Sequence, residues 1–222
     1  MTDTAIAERL GGVRERVERA AVRAGRDAGD VLLIAVSKTQ SDQAVRQAYE
    51  AGQRDFGENY VQEMVAKATA LRDLPGLRWH MIGHLQTNKV KQVVGVAGVV
   101  HTVDRVSLAQ ELGKRVEGEL DVLVEVNVGG EESKTGAAMN EAESVVEAAR
   151  GQARLRLRGL MTVPPFDLDL AEVAVHFARL REMAAGYGLR ELSMGMSHDF
   201  EEAIAHGATM VRVGTAIFGA RG

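Results

Sequence analysis

No cysteine occurs among the 222 residues, so disulfides, thiolate catalysis and cysteine-ligated metal are all excluded. The first twenty residues alternate charge with apolar character and contain no uninterrupted apolar core, which fails the pattern of a secretory signal. No other stretch approaches membrane-spanning length. Charge of one sign is also in short supply. Against 31 Asp and Glu stand 27 Lys and Arg, a net charge of −4, too little to attract nucleic acid or an anionic membrane. The expected setting is the cytoplasm. Linkers and low-complexity segments are missing too, so the 45% hydrophobic content is expected to build one domain spanning residues 1–222.

What is present is a rhythm. Short runs rich in branched aliphatics recur, each followed by a helical pattern. VLLIAVSK (31–38), DFGEN (55–59), RWHMIG (78–83), GVVHTVD (98–104), DVLVEVNV (121–128), LRLRGLMT (155–162), ELSMGM (191–196) and MVRVG (210–214) are the eight runs. Eight strands separated by seven helical segments indicate parallel βαβ units, because parallel strands need crossover connections. The fold class is therefore α/β. A (β/α)₈ barrel accommodates eight such units most naturally, although a doubly wound open sheet could also hold them. Only eight residues follow Gly214, too few for an eighth helix. An extra N-terminal helix, about residues 5–24, could fill the gap between the last strand and the first.

In such a barrel function gathers at the carboxyl ends of the strands. Lys38 ends the first run. Only 6 of the 27 basic residues are lysine, so a chain that elsewhere uses arginine for positive charge has a primary amine here. That amine could form a Schiff base with an aldehyde; it also fits a lysine snorkelling to water, and the residue alone does not decide. After runs seven and eight lie Ser197, Gly214 and Thr215, residue types that can cradle a phosphate with hydroxyls and backbone N–H groups. The acids Asp199, Glu201 and Glu202 would have to point away from such an anion. Arg212 shares a strand face with Gly214. It could aim at a ligand in the mouth or form a lumen salt bridge with Glu125. His80 and His84 bracket the third strand's end without an obvious third ligand, so a metal is not expected. Lys89 and Lys91 read as a solvated face, and Lys134 sits in a Gly-rich loop after the fifth strand.

Six segments, AVSKT, FGENYVQE, WHMIGHLQTNKVK, VEVNVGGEESKTG, GLMTVPP and LSMGMSHDFEEAI…GATMVRVGTAIFG, span Ala35 to Gly219. In this order and spacing the chain resembles the pyridoxal phosphate homeostasis proteins, the family also called YggS or proline synthase co-transcribed proteins. The resemblance implies a barrel like the N-terminal domain of alanine racemase without that enzyme's second domain. It implies pyridoxal 5′-phosphate as cofactor, a Schiff base on Lys38, and Asn59 beside the cofactor ring. By the same resemblance Ser197, Gly214 and Thr215 hold the phosphate, Arg212 faces the pyridine nitrogen, and Lys134 takes part in cofactor handling. Ser41 departs from the proline that many members carry. The implied role is buffering or delivery of the cofactor without turnover and without catalytic residues, by a monomer whose recipients are apo-enzymes that use pyridoxal phosphate. The alternative is a pyridoxal-phosphate-dependent amino-acid racemase. Two-base racemisation needs a second proton donor, for which the chain offers His84, His198 or Tyr60.

Overall fold

The computed structural model describes residues 3–130, 135–165 and 167–219. Eight strands form the barrel: β1 (Leu32–Val36), β2 (Asp55–Glu58), β3 (Arg78–Met81), β4 (Ala97–Val103), β5 (Leu120–Asn127), β6 (Leu155–Met161), β7 (Glu191–Ser193) and β8 (Met210–Val213). Each pairs in parallel with its neighbour in chain order. Pairing of β8 with β1, from Leu32↔Met210 to Ala35↔Val213, closes the ring. The open-sheet alternative is thereby removed. A two-residue strand, Ala137–Ala138, lies along the end of β5 outside the ring, in a segment the sequence pattern had given to a loop.

Side chains of a strand alternate between faces, and β1 shows the consequence. Leu33 and Ala35 join the apolar layer under the helices. Leu32 and Ile34 face the lumen, where Ile34 packs with Val99, Leu123, Met161 and Met210. Continuing the inward row of β1 past its last residue reaches Lys38. The same parity on β8 places Arg212 inward between Met210 and Gly214.

The helices are α1 (Asp3–Arg23), α2 (Asp42–Glu50), α3 (Val61–Ala70), α4 (Val90–Val93, preceded by a 3₁₀ turn at Thr87–Lys89), α5 (Val106–Arg115), α6 (Ala142–Arg150), α7 (Leu170–Gly186), α8 (Phe200–Ala205) and the single turn α9 (Thr215–Phe218). On α1, Ile6, Leu10, Val13, Val17, Ala20 and Ala21 are buried, a spacing of three and four that makes one apolar stripe. This stripe packs across α8, α9 and α2, so α1 occupies the gap left by the missing eighth helix. Arginines staple it there. Arg9 donates to Ile217 O (2.7 Å), Arg14 to Ala51 O (2.7 Å), and Arg16 pairs with Glu201 (3.2 Å).

Strand β7 ends three residues earlier than the run ELSMGM suggested, because Gly195 adopts φ +95°. A Cβ there would sit 2.6 Å from Ala203 Cβ and 2.9 Å from Phe200 Cα, so only glycine lets the chain turn tightly against α8. The longest barrel helix, α7, begins with a capping box. The Asp169 side chain accepts from the Glu172 N–H (2.9 Å) while Glu172 accepts from the Asp169 N–H (3.0 Å). Asp169→Ala is expected to cost about 1 kcal/mol, a fall in Tm of about 2–4 °C for a chain of this size; a thermal melt by circular dichroism checks it.

Candidate functional site

A cleft of about 300 Å³ opens at the carboxyl ends of the strands. Lys38, Asn59, Ser197, Arg212, Gly214 and Thr215 all line it. The six positions singled out from sequence therefore converge, from β1, β2, β7 and β8 and the turns that follow them. Val36, Ile82, Val163 and Met196 supply the apolar part of the wall. The volume is at the small end for a cofactor site and admits a ligand of one ring and one anionic arm.

The backbone around Lys38 is held from both sides. Ser37 is fully buried; its N–H donates to Gly57 O (3.0 Å) and its hydroxyl to Glu58 Oε1 (2.7 Å). Lys67, on α3 and only 4% exposed, spends its three ammonium donors on Ser37 O (2.5 Å), Glu58 Oε1 (2.7 Å) and Glu63 Oε1 (2.7 Å). Glu63 also accepts from the N–H of Thr39 (2.6 Å). Thr39 has φ +63°, a left-handed conformation that a β-branched residue adopts only when its surroundings impose it. The Glu63 bond is such an imposition. With residues 37 and 39 both fixed, the Lys38 side chain departs from a stationary Cα into the cleft. Burial pushes the Glu58 carboxyl up from its ordinary range, opposed by the hydrogen bonds from Lys67 and Ser37.

Neither Glu58 nor Lys67 lines the cleft. Glu58 stands at a strand end, but its parity is opposite to that of Gly57 and Asn59, so it points into the helical layer. There it meets a lysine that α3 turns inward.

Arg212 is buried at the base of the cleft. It donates to Ser193 Oγ (2.6 Å) and to the carbonyl of Thr162 (2.9 Å). Burial lowers its pKa to about 10, against the pull of Glu125 and Asp199, so it remains a cation at neutral pH. The lumen salt bridge with Glu125 is not formed. Glu125 accepts instead from Thr135 Oγ1 (2.6 Å), its second oxygen has no hydrogen-bond partner among the described residues, and burial raises its pKa.

At the other end of the cleft the Gly214 N–H donates to Ser197 Oγ (3.3 Å), which ties the turn after β7 to the turn after β8. Helix α8 opens at Phe200 with Asp199 at its N-cap, so Ser197 lies in the turn before the helix rather than at its start. The three nearby acids face elsewhere, as an anion site requires. Asp199 accepts from the Met196 N–H (2.5 Å), Glu201 pairs with Arg16, and Glu202 with His206 (3.3 Å).

Other candidates disperse. His84 pairs with Asp104 (3.2 Å) and does not line the cleft, and Tyr60 is exposed at the start of α3. His198 does line it, at an exposed rim. His80 is fully buried in the lumen. No group of three His, Asp or Glu among the described residues could hold a metal ion. Lys134 lies outside the described residues.

Comparison with known proteins adds independent evidence. The family model for the alanine racemase N-terminal domain matches residues 9–222. A curated relative from Pseudomonas aeruginosa, named pyridoxal phosphate homeostasis protein, is 49% identical over 221 residues, covering 97% of this chain and 96% of its own. One of the same name from Escherichia coli K12 is 44% identical over 229 residues, covering 97% of each. Among solved structures, PipY of Synechococcus elongatus PCC7942 with PLP bound is 38% identical, with a TM-score of 0.86 over 96% of this chain and 100% of that one. Alanine racemase from Corynebacterium glutamicum, at 20% identity and a TM-score of 0.69, shares the fold, and the match covers 61% of that enzyme.

Proposed function

The chain belongs to the alanine racemase N-terminal domain family and, within it, to the pyridoxal phosphate homeostasis proteins, and from that premise we propose that it binds pyridoxal 5′-phosphate through Lys38 and stores or delivers it without turnover. The observation that carries this reading is the convergence in one cleft of a clamped primary amine, a buried arginine and a cup made by Ser197, Gly214 and Thr215. The donor set fits the cofactor. An amine is there for its aldehyde, hydroxyls and backbone N–H groups for its phosphate, and a guanidinium for its ring nitrogen. The relative from Synechococcus elongatus, solved with PLP bound, supports it.

When bound, the cofactor offers an aldehyde for Schiff-base formation and, with its ring protonated, an electron sink for carbanion chemistry. Arg212 carries donors only, so it favours a ring nitrogen without a proton and weakens that sink. The Lys38 amine is the nucleophile. Asn59 stands beside the ring, and the tie between Ser197 and Gly214 keeps the phosphate cup in one piece. Of the three side chains that a two-base racemisation would draw on, only His198 lines the cleft, and it does so in contact with water, which favours storage over catalysis. Release then requires transfer of the aldehyde to another amine, with Lys134 the proposed intermediary and pyridoxal-phosphate apo-enzymes of the cytoplasm the proposed recipients. The working unit in this reading is a monomer of one domain.

Incubation with pyridoxal 5′-phosphate followed by borohydride reduction and peptide mass mapping tests the proposal. The expected adduct is on the peptide containing Lys38, and its absence there would end the reading. A second prediction comes from Gly83, where a Cβ would lie 2.1 Å from the carbonyl oxygen of Asn59. Gly83→Ala must therefore displace the Asn59 backbone. It is expected to cost about 1–3 kcal/mol in stability and to weaken cofactor binding in the same variant. Spectroscopic titration with the cofactor beside a thermal melt measures both. Unchanged affinity would remove Asn59 from the site.

A further inference from the structure

Barrel lumens of this type are usually filled by branched aliphatic side chains. Here the apolar filling is small, and beside it runs a chain of polar groups drawn from five strands. Asp55 Oδ1 lies 2.9 Å from His80 Nε2, His80 Nδ1 2.9 Å from His101 Nε2, and His101 Nδ1 2.9 Å from Ser193 Oγ. Arg212 Nη1 completes it by donating to Ser193 Oγ at 2.6 Å. Both imidazoles and Ser193 are 0% exposed.

The ends of this chain fix its direction. A guanidinium can only donate and a carboxylate can only accept. With both rings neutral, Asp55 requires His80 to donate from Nε2 and accept at Nδ1, which leaves His101 Nδ1 as an acceptor for the one proton of Ser193, itself an acceptor from Arg212. His101 then donates from Nε2 to His80 Nδ1, and His80 donates from Nε2 to Asp55. Every link is satisfied with both rings neutral, and all four bonds point from Arg212 towards Asp55. Burial agrees with this assignment, since it holds both imidazoles below the ordinary histidine range. For His80 the hydrogen bond to Asp55 opposes that shift without reversing it.

A buried polar chain is costly unless complete, and apolar residues of similar volume would fill the lumen without that cost. Stability is therefore a poor reason for its presence. Its placement suggests a better one. Arg212 is the only member of the chain that lines the cleft, and its other terminal nitrogen is held by Thr162 O. Two fixed acceptors set the plane of the guanidinium.

We propose that Ser193, His101, His80 and Asp55 are positioning residues: a one-way hydrogen-bond relay that sets the guanidinium plane of Arg212 so that a remaining donor meets the ring nitrogen of the bound cofactor. The inference rests on the reading that Arg212 faces that nitrogen, and it extends the site from the mouth down the length of the lumen. Ser193 is the critical link, because it alone touches both the cation and the imidazole pair.

Two measurements test it. In the cofactor-free protein, long-range ¹H–¹⁵N spectra of the histidine side chains at about pH 7 are expected to show His80 and His101 both as Nε2–H tautomers. An Nδ1–H tautomer or an imidazolium at either ring overturns the relay. With cofactor labelled by ¹⁵N in its ring, Ser193→Ala is expected to move the ring-nitrogen resonance away from its wild-type, hydrogen-bonded position and to weaken binding about tenfold, the scale of one hydrogen bond to a charged group. Ser193→Thr, which keeps the hydroxyl, is expected to restore both. A wild-type resonance showing no accepted hydrogen bond would overturn the reading of Arg212 itself. A normal wild-type resonance that Ser193→Ala leaves in place would overturn the relay alone.

Discussion

Lys38→Ala is expected to leave a folded barrel that no longer develops the absorption band of covalently held pyridoxal phosphate. The fold should survive because the fixed points of this segment lie on either side of residue 38. Ser37 is pinned by its N–H, its carbonyl and its hydroxyl, and Thr39 by Glu63. The Lys38 side chain itself reaches a solvent-connected cleft, where truncation usually changes stability by about 0.5 kcal/mol or less. Loss of the band should be complete, since among the described residues no other group lining the cleft is a primary amine. Lys38→Arg sharpens the test. It keeps the positive charge but removes the amine, and the same complete loss is expected. A band that survives Lys38→Arg would mean that the residue attracts the phosphate electrostatically instead of bonding to the aldehyde. A band that survives in both variants but vanishes in Lys134→Ala would transfer the covalent role to the loop after β5.

What the sequence disclosed and what it concealed follow from the range of the interactions involved. Strand-end residues were legible because a period of two is a local property. Once VLLIAVSK is a strand with Ile34 inward, Lys38 is inward as well, and MVRVG places Arg212 by the same rule. Closure of the barrel was favoured by the count of eight βα units and by a helix without a strand before it, but only the pairing of β8 with β1 removed the open sheet. The clamp behind Lys38 is of another kind. Lys67 follows Glu63 by four residues on an amphipathic helix, a spacing that ordinarily marks an exposed ion pair. Only the pairing of β1 with β2, which sets Val36 against Gly57, brings Ser37 and Glu58 beneath it. One signal was present. If Gly57 and Asn59 face the lumen, Glu58 must face the helical layer, where a carboxylate needs a cation. His101 was hidden for a similar reason, since within GVVHTVD it looks like a core position. Its contact with His80 depends on the register of β3 against β4, which shifts at an irregularity between Trp79 and His80.

Lys67→Met should produce the largest loss of stability of any single change around the site. Methionine preserves the length and the apolar stem, so the loss isolates the ammonium. Its removal leaves Glu58, 0% exposed, as a buried carboxylate that keeps one hydrogen bond, from Ser37, and it leaves the carbonyl of Ser37 with the Gln40 N–H (3.0 Å) as its remaining donor. Breaking a buried pair from one side costs about 3–5 kcal/mol, and for a chain of this size about 3 kcal/mol lowers Tm by roughly 6–12 °C. The dependence on pH identifies the cause. Burial already raises the pKa of Glu58 in the native protein, and the hydrogen bond and charge of Lys67 are two of the influences that lower it. Without them the folded-state pKa rises further above that of the unfolded chain. A group raised in this way contributes its full stability below the unfolded pKa and loses it as pH rises through the folded one. The deficit of Lys67→Met relative to wild type should therefore be smaller at about pH 5 than at about pH 8. Adding Glu58→Gln, which retains an acceptor for Ser37 without the charge, should recover part of the loss and flatten that dependence. A Tm within 2–4 °C of wild type, the change expected for about 1 kcal/mol, would mean that the ammonium carries little of the clamp. The proposed bond of Lys38 to the cofactor would then owe its geometry to the strand end alone.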